Sequence, residues 1–248
     1  MKLSVVIPAH NEEGCIRGTV EALVARLGSE AIPHEILVVN DNSRDRTESV
    51  LRDLVAAYPS VRYVNNTPPN GFGFAVRRGL REFTGDAVAV YMADASDDPE
   101  DLVRFYRKLC EGYDCVFGTR WRNGGRTYDY PLLKRIMNRL ANQFVRMLFQ
   151  VRYDDMTNAF KLYRREVIHG VQPLLSHHFN LTVEIPLKAI TRGYTFKTSP
   201  ISWQNRKYGV AKLKIKEMGS RYFFICAYVW LEKYFSRGDY RRKNIHGN

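Results

Sequence analysis

Cysteine is scarce in this chain. Four are spread over 248 residues (Cys15, Cys110, Cys115, Cys226), none in a C-x-x-C pair and none beside a His-rich stretch. That sparseness argues against a disulfide framework and a structural zinc site, and implies a reducing, cytosolic setting. Low-complexity tracts are missing too: 17 Gly and 10 Pro are dispersed, while charged residues make up 26% and hydrophobic residues 45%. Disordered and collagen-like classes are thereby excluded. Tyr222 to Leu231 is an uncharged run of only ten residues, about half of what a helix needs to cross a bilayer. The first apolar run stops at His10-Asn11-Glu12-Glu13, too early and too acidic for a signal peptide, and reads as a first strand.

What is present is enough chain for one large α/β domain that buries roughly 70–75% of its unfolded surface. The net charge is +12, and its placement is uneven. From Ile201 to Asn248 there are eleven Lys or Arg against three acids, a surplus of eight. This basic module surrounds the aromatic run Tyr222–Leu231. Two readings stay open: a helix lying at a headgroup interface, where rings bury and cations meet anionic lipid, or a core helix packed on the domain. Nucleic acid is not expected as a partner, because no nucleic-acid motif accompanies the charge.

Short β-branched runs at Leu3–Ile7, Glu35–Val39, Val61–Val64, Ala87–Met92 and Cys115–Gly118 read as strands. Between the first two, Ile16, Val20, Leu23, Val24 and Leu27 recur at helical spacing, and Val50, Leu51, Leu54, Val55 and Tyr58 follow the second. Strands alternating with helices predict a mostly parallel sheet whose ligand crevice lies beyond the carboxyl ends of its strands. Function is therefore expected in the segments after each strand. No repeat or long linker divides the chain, so the reading is a catalytic region over residues 1–213 and a basic C-terminal segment over 214–248.

Taken singly, most of these segments have an ordinary structural explanation. Pro8 stops a strand, and Asp41 or Ser43 is a candidate helix cap. Together, the loops Pro8–Glu13 and Asn40–Ser43 offer carboxylate and amide groups on adjacent strand ends, fit to form the floor of a nucleotide pocket. Gly71-Phe72-Gly73 follows the third strand with the wrong glycine spacing for a dinucleotide fingerprint, yet it opens a helix beside Arg77 and Arg78. The segment Asp94 to Asp101 holds five acids in eight positions. Capping of a helix from Pro99 explains the later ones. Capping does not explain Asp94, straight off the strand, where a hard divalent ion could bridge carboxylate and diphosphate oxygens; the functional reading is the favoured one for this residue.

Pro8-Ala9-x-Asn11-Glu12, Asp41-x-Ser43, Gly71-x-Gly73, Ala93-Asp94 and Gly118-Thr119-Arg120 occur in an order and spacing that resemble the family 2 glycosyltransferases. Within that family the chain resembles the dolichol- or polyprenyl-phosphate mannose and glucose synthases, from about Leu3 to Lys214. The resemblance implies the GT-A nucleotide-diphospho-sugar transferase fold: a mostly parallel central sheet flanked by helices, here with the basic C-terminal helical appendage. It implies that Pro8, Ala9, Asn11, Glu12, Asp41, Gly71 and Gly73 hold or border the nucleotide, and that Asp94 is the second acid of an Asp-x-Asp metal motif. Met92 stands where the first acid belongs. A thioether in place of a hard ligand weakens Mg²⁺ or Mn²⁺ binding unless Asp97 or Asp98 takes over, so Asp94 and Asp97 are the expected metal ligands. Asp155-Met156-Thr157-Asn158-Ala159-Phe160-Lys161 resembles the family's Asp-x-Thr-Ser-Gly-Phe-Arg segment, and Arg135-x-x-Asn138 and Arg206-x-x-Gly209-x-Ala211-Lys212 resemble elements associated with acceptor phosphate.

The catalytic set implied is Asp94, Asp155 and Arg120, and the acceptor-phosphate set is Arg135, Asn138, Arg206 and Lys212. The expected reaction is inverting transfer of a hexose from a GDP- or UDP-sugar to polyprenyl phosphate, with the enzyme peripheral at the cytoplasmic face of a membrane. Two alternatives remain. One is transfer to a saccharide or protein hydroxyl, for which Asp155 or Glu184 must act as base. The other is a degenerate nucleotide-binding module without turnover.

Overall fold

The computed structural model describes residues 1–122, 124–205 and 215–242. Its first half follows the predicted rhythm: β1 (Leu3–Ala9), α1 (Ile16–Ser29), β2 (His34–Asn40), α2 (Thr47–Ala57), β3 (Val61–Asn65), α3 (Phe72–Glu82), β4 (Ala87–Val90), α4 (Pro99–Cys110) and β5 (Cys115–Thr119). The second half departs from it, with β6 (Arg126–Tyr128), α5 (Leu132–Phe149), β7 (Lys161–Arg164), α6 (Arg165–Gly170), α7 (Leu181–Thr191), β8 (Phe196–Pro200), β9 (Ser202–Gln204) and α8 (Ile215–Phe235). Seven strands form the main sheet in the order β3-β2-β1-β4-β7-β5-β8, and β6 and β9 form a small parallel pair beside it. Within the main sheet only β7 runs antiparallel, wedged between β4 and β5. The other pairs are parallel.

Alternation along the strands splits the core into two layers. Leu3, Val5 and Ile7 of β1 pack with Ile16, Leu23, Leu102 and Phe105 of α1 and α4. Val6 points the other way, into a layer built with Val76, Val145, Leu187 and Val229 from α3, α5, α7 and α8. Helix α3 approaches β1 closely at Gly79, where an added Cβ would lie 2.2 Å from Val6 Cγ1.

The described part of the basic C-terminal segment is a helix that packs on the sheet's second layer. Ile225, Cys226 and Val229 of α8 are buried in the second layer. Arg192 holds Glu232 through two bonds of 2.8 Å, Lys233 Nζ donates to the Phe149 carbonyl at 2.7 Å, and Arg242 pairs with Asp114 at 2.9 Å. The opposite face of α8 leaves Phe223, Phe224 and Phe235 more than 60% exposed. The aromatic run thus supplies a core face and a solvent-facing apolar face at once.

Candidate active site

The strand ends gather the residues expected to hold a nucleotide. Asp41, just past β2, is buried and serves as the hub. Its Oδ1 accepts from Asn66 Nδ2 at 2.8 Å and Asn70 Nδ2 at 3.0 Å, and its Oδ2 accepts from the Gly71 amide at 2.7 Å. Its own amide donates to the Ala9 carbonyl, and His10 Nδ1 lies 2.7 Å from its carbonyl oxygen. Asn11, at a positive φ, receives the Arg44 amide on Oδ1 and donates its own amide to Ser43 Oγ. Asp45, not Asp41 or Ser43, bonds the Thr47 amide and hydroxyl at the start of α2. Pro8, Ala9, Asn11, Glu12, Asp41 and Gly71 therefore share one corner. Gly73 has a packing reason of its own, since a Cβ there would fall 2.3 Å from the His177 backbone carbon.

The five acids after β4 sort by environment. Asp98 caps α4 by accepting from the Glu100 amide, and Glu100 pairs with Arg26. Asp101 accepts from the Ser202 amide at 2.8 Å and pairs with Arg104. Asp94 and Asp97 are left facing the cleft together with Met92. Asp97 is 5% exposed, and its Oδ2 has no hydrogen-bond partner. Burial, added to the nearby charge of Asp94, pushes its carboxyl up to about 7, with a hydrogen bond from the Met92 backbone and, more weakly, the charge of Arg120 pulling the other way. Two neighbouring acids with one buried, unsatisfied oxygen make a hard-oxygen locus that a divalent cation would relieve. Among the described residues no cluster of three His, Cys, Asp or Glu completes a protein-only cage.

Arg120, directly after β5, and Asp155 form one buried unit. The Arg120 amide and Nε donate to Asp155 Oδ2 at 3.0 and 2.8 Å, and Nη2 donates to Oδ1 at 2.6 Å. Although burial opposes it, the Asp155 charge holds the guanidinium pKa above its ordinary value. Trp121, Tyr130 and Trp203 surround the guanidinium at 5.4, 5.7 and 6.0 Å. Asp155 is fully buried, and its oxygens are both occupied. Behind it, Lys161 Nζ donates to the carbonyls of Met156, Asn158 and Thr182, and burial depresses its pKa to about 7. Glu184 is also engaged: it accepts from the Leu175 and Ser176 amides at 2.7 Å and pairs with Lys188.

Asp94, Asp97 and Arg120 line one end of a cleft of about 670 Å³, which continues between α5 and α8 along Leu140, Phe144, Tyr222 and Phe223. Lys134 and Asn138 of α5 line it as well. Arg135 stands 5.5 Å from the Trp121 ring, and Arg139, which sequence reasoning missed, stands 5.6 Å from the same ring. The only signal for Arg139 was its spacing of four from Arg135, which shares a helix face. Arg206 and Lys212 lie outside the described residues.

A mainly parallel seven-stranded sheet with one reversed strand, flanked by helices and carrying an acid turn after β4, is the GT-A class of fold. Residues 4–171 match the model of glycosyl transferase family 2, and the chain belongs to that family. It is 31% identical over 220 residues to a dolichol-phosphate mannosyltransferase of Pyrococcus furiosus, covering 87% of this chain and 60% of that protein. It is 31% identical over 217 residues to a polyprenol monophosphomannose synthase of Mycolicibacterium smegmatis, covering 84% of this chain and 80% of the relative. Among solved structures, the glucosyl-3-phosphoglycerate synthase of Mycobacterium tuberculosis, in complex with Mn²⁺, UDP and phosphoglyceric acid, superposes with a TM-score of 0.67 at 19% identity, over 94% of this chain and 78% of that one. That likeness concerns the fold.

Proposed function

We propose that this protein transfers a hexose from a GDP- or UDP-sugar to a polyprenyl phosphate, with inversion at the anomeric carbon. The observation that carries the reading is the two-ended cleft: acids and Arg120 at one end, and an apolar groove between α5 and α8 at the other. A donor diphosphate suits the first end, and an isoprenoid chain suits the second. The names of the two relatives at 31% identity agree with a lipid phosphate as acceptor.

The residues at the polar end can be given roles. Asp94 and Asp97 would hold a divalent ion, Mg²⁺ or Mn²⁺, and the orphaned Asp97 oxygen is the feature that fits it. Such an ion, when bound, offsets charge developing on the leaving diphosphate. Arg120 is fixed by Asp155 and its aromatic cage, so it presents positive charge without reorganising during the reaction. Lys134, Arg135, Arg139 and Asn138 on α5 would receive the acceptor phosphate, while the Asp41 corner holds the nucleoside.

Hydroxyl acceptors need a general base within reach, whereas a lipid monophosphate is already anionic at neutral pH. Asp155 and Glu184, the two candidate bases, both have their oxygens bound by protein donors. That arrangement favours the anionic acceptor. A single displacement by the phosphate oxygen on the face opposite the leaving diphosphate inverts the sugar.

No helix among the described residues is long and apolar enough to cross a membrane. The exposed faces of α5 (Leu132, Leu133, Ile136, Leu140) and α8 (Phe223, Phe224) flank the groove. With Arg135 and Arg139 beside them, they would rest on an anionic membrane surface at the cytoplasmic face.

The direct test is incubation of the purified protein with undecaprenyl phosphate and radiolabelled GDP-mannose or UDP-glucose. The expected product is a lipid-linked sugar released by mild acid. Label found only in glycan or protein overturns the lipid acceptor, and binding of GDP or UDP without turnover on any acceptor favours the degenerate module.

A further inference from the structure

Helix α5 is held to the body by few residues. Of its eighteen positions only Asn142, Val145 and Phe149 are buried, and one of those three is an amide. Asn142 is 2% exposed. At a buried helix position a Leu or Val avoids the cost of desolvating an amide, so this Asn is not what burial alone favours. It is fully used. Its Nδ2 donates to the Asn138 carbonyl and to Asn138 Oδ1, both at 2.9 Å, and to Thr157 Oγ1 at 3.2 Å, while its Oδ1 accepts from the Thr157 amide at 3.2 Å. Asn138 Nδ2 reaches the same Thr157 hydroxyl at 2.8 Å.

Thr157 lies two residues from Asp155, in the loop whose other side is pinned by Lys161 to the Met156 and Asn158 carbonyls. The Thr157 carbonyl also accepts from Thr182 Oγ1 on α7 at 3.4 Å. The loop that positions Arg120 is therefore clamped from the sheet and α7 on one side, and joined to α5 by the Asn138-Asn142-Thr157 clip on the other. The same helix carries Lys134, Arg135 and Arg139.

We propose that Asn142 is a positioning residue: through Thr157 it fixes α5 relative to the Asp155–Arg120 pair, so that the cations of the helix and the cation of the strand end converge on one acceptor phosphate. The inference rests on the acceptor reading above, and its test separates the two. The variants are Asn142→Leu, Thr157→Val and Thr157→Ser. Losing the clip leaves a buried donor or acceptor unmet, and a shift of about 1.4 kcal/mol is tenfold in affinity. Asn142→Leu and Thr157→Val are accordingly expected to raise the KM for undecaprenyl phosphate about tenfold or more, with kcat within about threefold and the donor KM unchanged. Thr157→Ser, which keeps the hydroxyl, is expected to stay within about twofold of the parent. Amide exchange over residues 155–158 should quicken in the two damaging variants while far-UV circular dichroism stays constant. Equal changes in donor and acceptor KM, no change at all, or Thr157→Ser behaving like Thr157→Val overturns the proposal.

Should Asn142→Leu fail to fold, the two Thr157 variants decide alone. If the parent makes no lipid-linked sugar, the acceptor reading fails, and calorimetry with dodecyl phosphate still decides the clip. A tenfold weaker Kd in the variants, about 1.4 kcal/mol, supports it, and an unchanged Kd refutes it.

Discussion

Asp155 and Arg120 are best understood as one chemical object. Removing one partner of a buried, bidentate pair leaves an uncompensated charge and costs about 3–5 kcal/mol. Asp155→Asn is therefore expected to lower the urea midpoint clearly while leaving residual turnover on a phosphate acceptor; complete loss of turnover in a fully folded variant would mark Asp155 as a base instead. Glu35 supplies a second residue-scale prediction, unrelated to chemistry. Burial alone would raise its pKa, yet donors from Ser4, Thr84 and Arg62 outweigh it and hold the folded carboxyl at about 2, against an ordinary 4.5. As pH falls, the unfolded chain takes up this proton first, so the stabilisation is whole above about pH 4.5 and drains away between there and about pH 2. Denaturation midpoints measured across that range should fall steeply in the parent and less steeply in Glu35→Gln. Asp41 and Asp94 were legible as site candidates because Asp41 directly follows β2 and Asp94 lies in the turn after β4. The pairing of Asp155 with Arg120 was not legible, because 35 residues separate them and only the placement of β7 next to β5 brings them together.

At the scale of elements, the parallel half could be read from apolar periodicity. The second half could not. Strand β7 is four residues long, contains Lys161 and enters antiparallel, so no alternation or buried run announces it. Strands β8 and β9 are five and three residues with mixed burial. The predicted fourth strand ran to Met92, while β4 ends at Val90, although the Tyr91 amide still donates to the Val6 carbonyl. Helix α3 depends on a glycine at its contact with β1: Gly79→Ala forces a methyl into Val6 and should cost about 1–3 kcal/mol in urea denaturation. The exposed faces of α5 and α8 lead to a binding prediction. Vesicles with anionic lipid should co-sediment the protein at low salt, and the double change Leu133→Asp with Phe223→Asp should abolish that association while leaving calorimetric GDP or UDP affinity unaltered. Retained vesicle binding in the double variant would remove these helices from the membrane account.

Across the whole molecule, the sheet brings three groups of side chains to one edge. The β1–β3 ends hold the Asp41 hydrogen-bonded corner proposed for the nucleoside, the β4 and β5 ends hold acids and a caged guanidinium, and α5 with α8 extend that edge into an apolar groove. Helix α5 carries Lys134, Arg135, Arg139 and Arg146 and no acid, so positive charge also stands beside the groove, while the tail's described part packs against the sheet's second layer. Such an arrangement makes sense of an acceptor that is anionic at its reactive end and hydrocarbon elsewhere. The most direct test compares undecaprenyl phosphate with free undecaprenol, at equal concentration and with the same labelled donor. The account predicts label on the phosphate only, since Asp155 and Glu184 have their oxygens bound by protein donors and Asp97 is assigned to the divalent ion rather than to deprotonating an alcohol. Comparable labelling of the alcohol would contradict it.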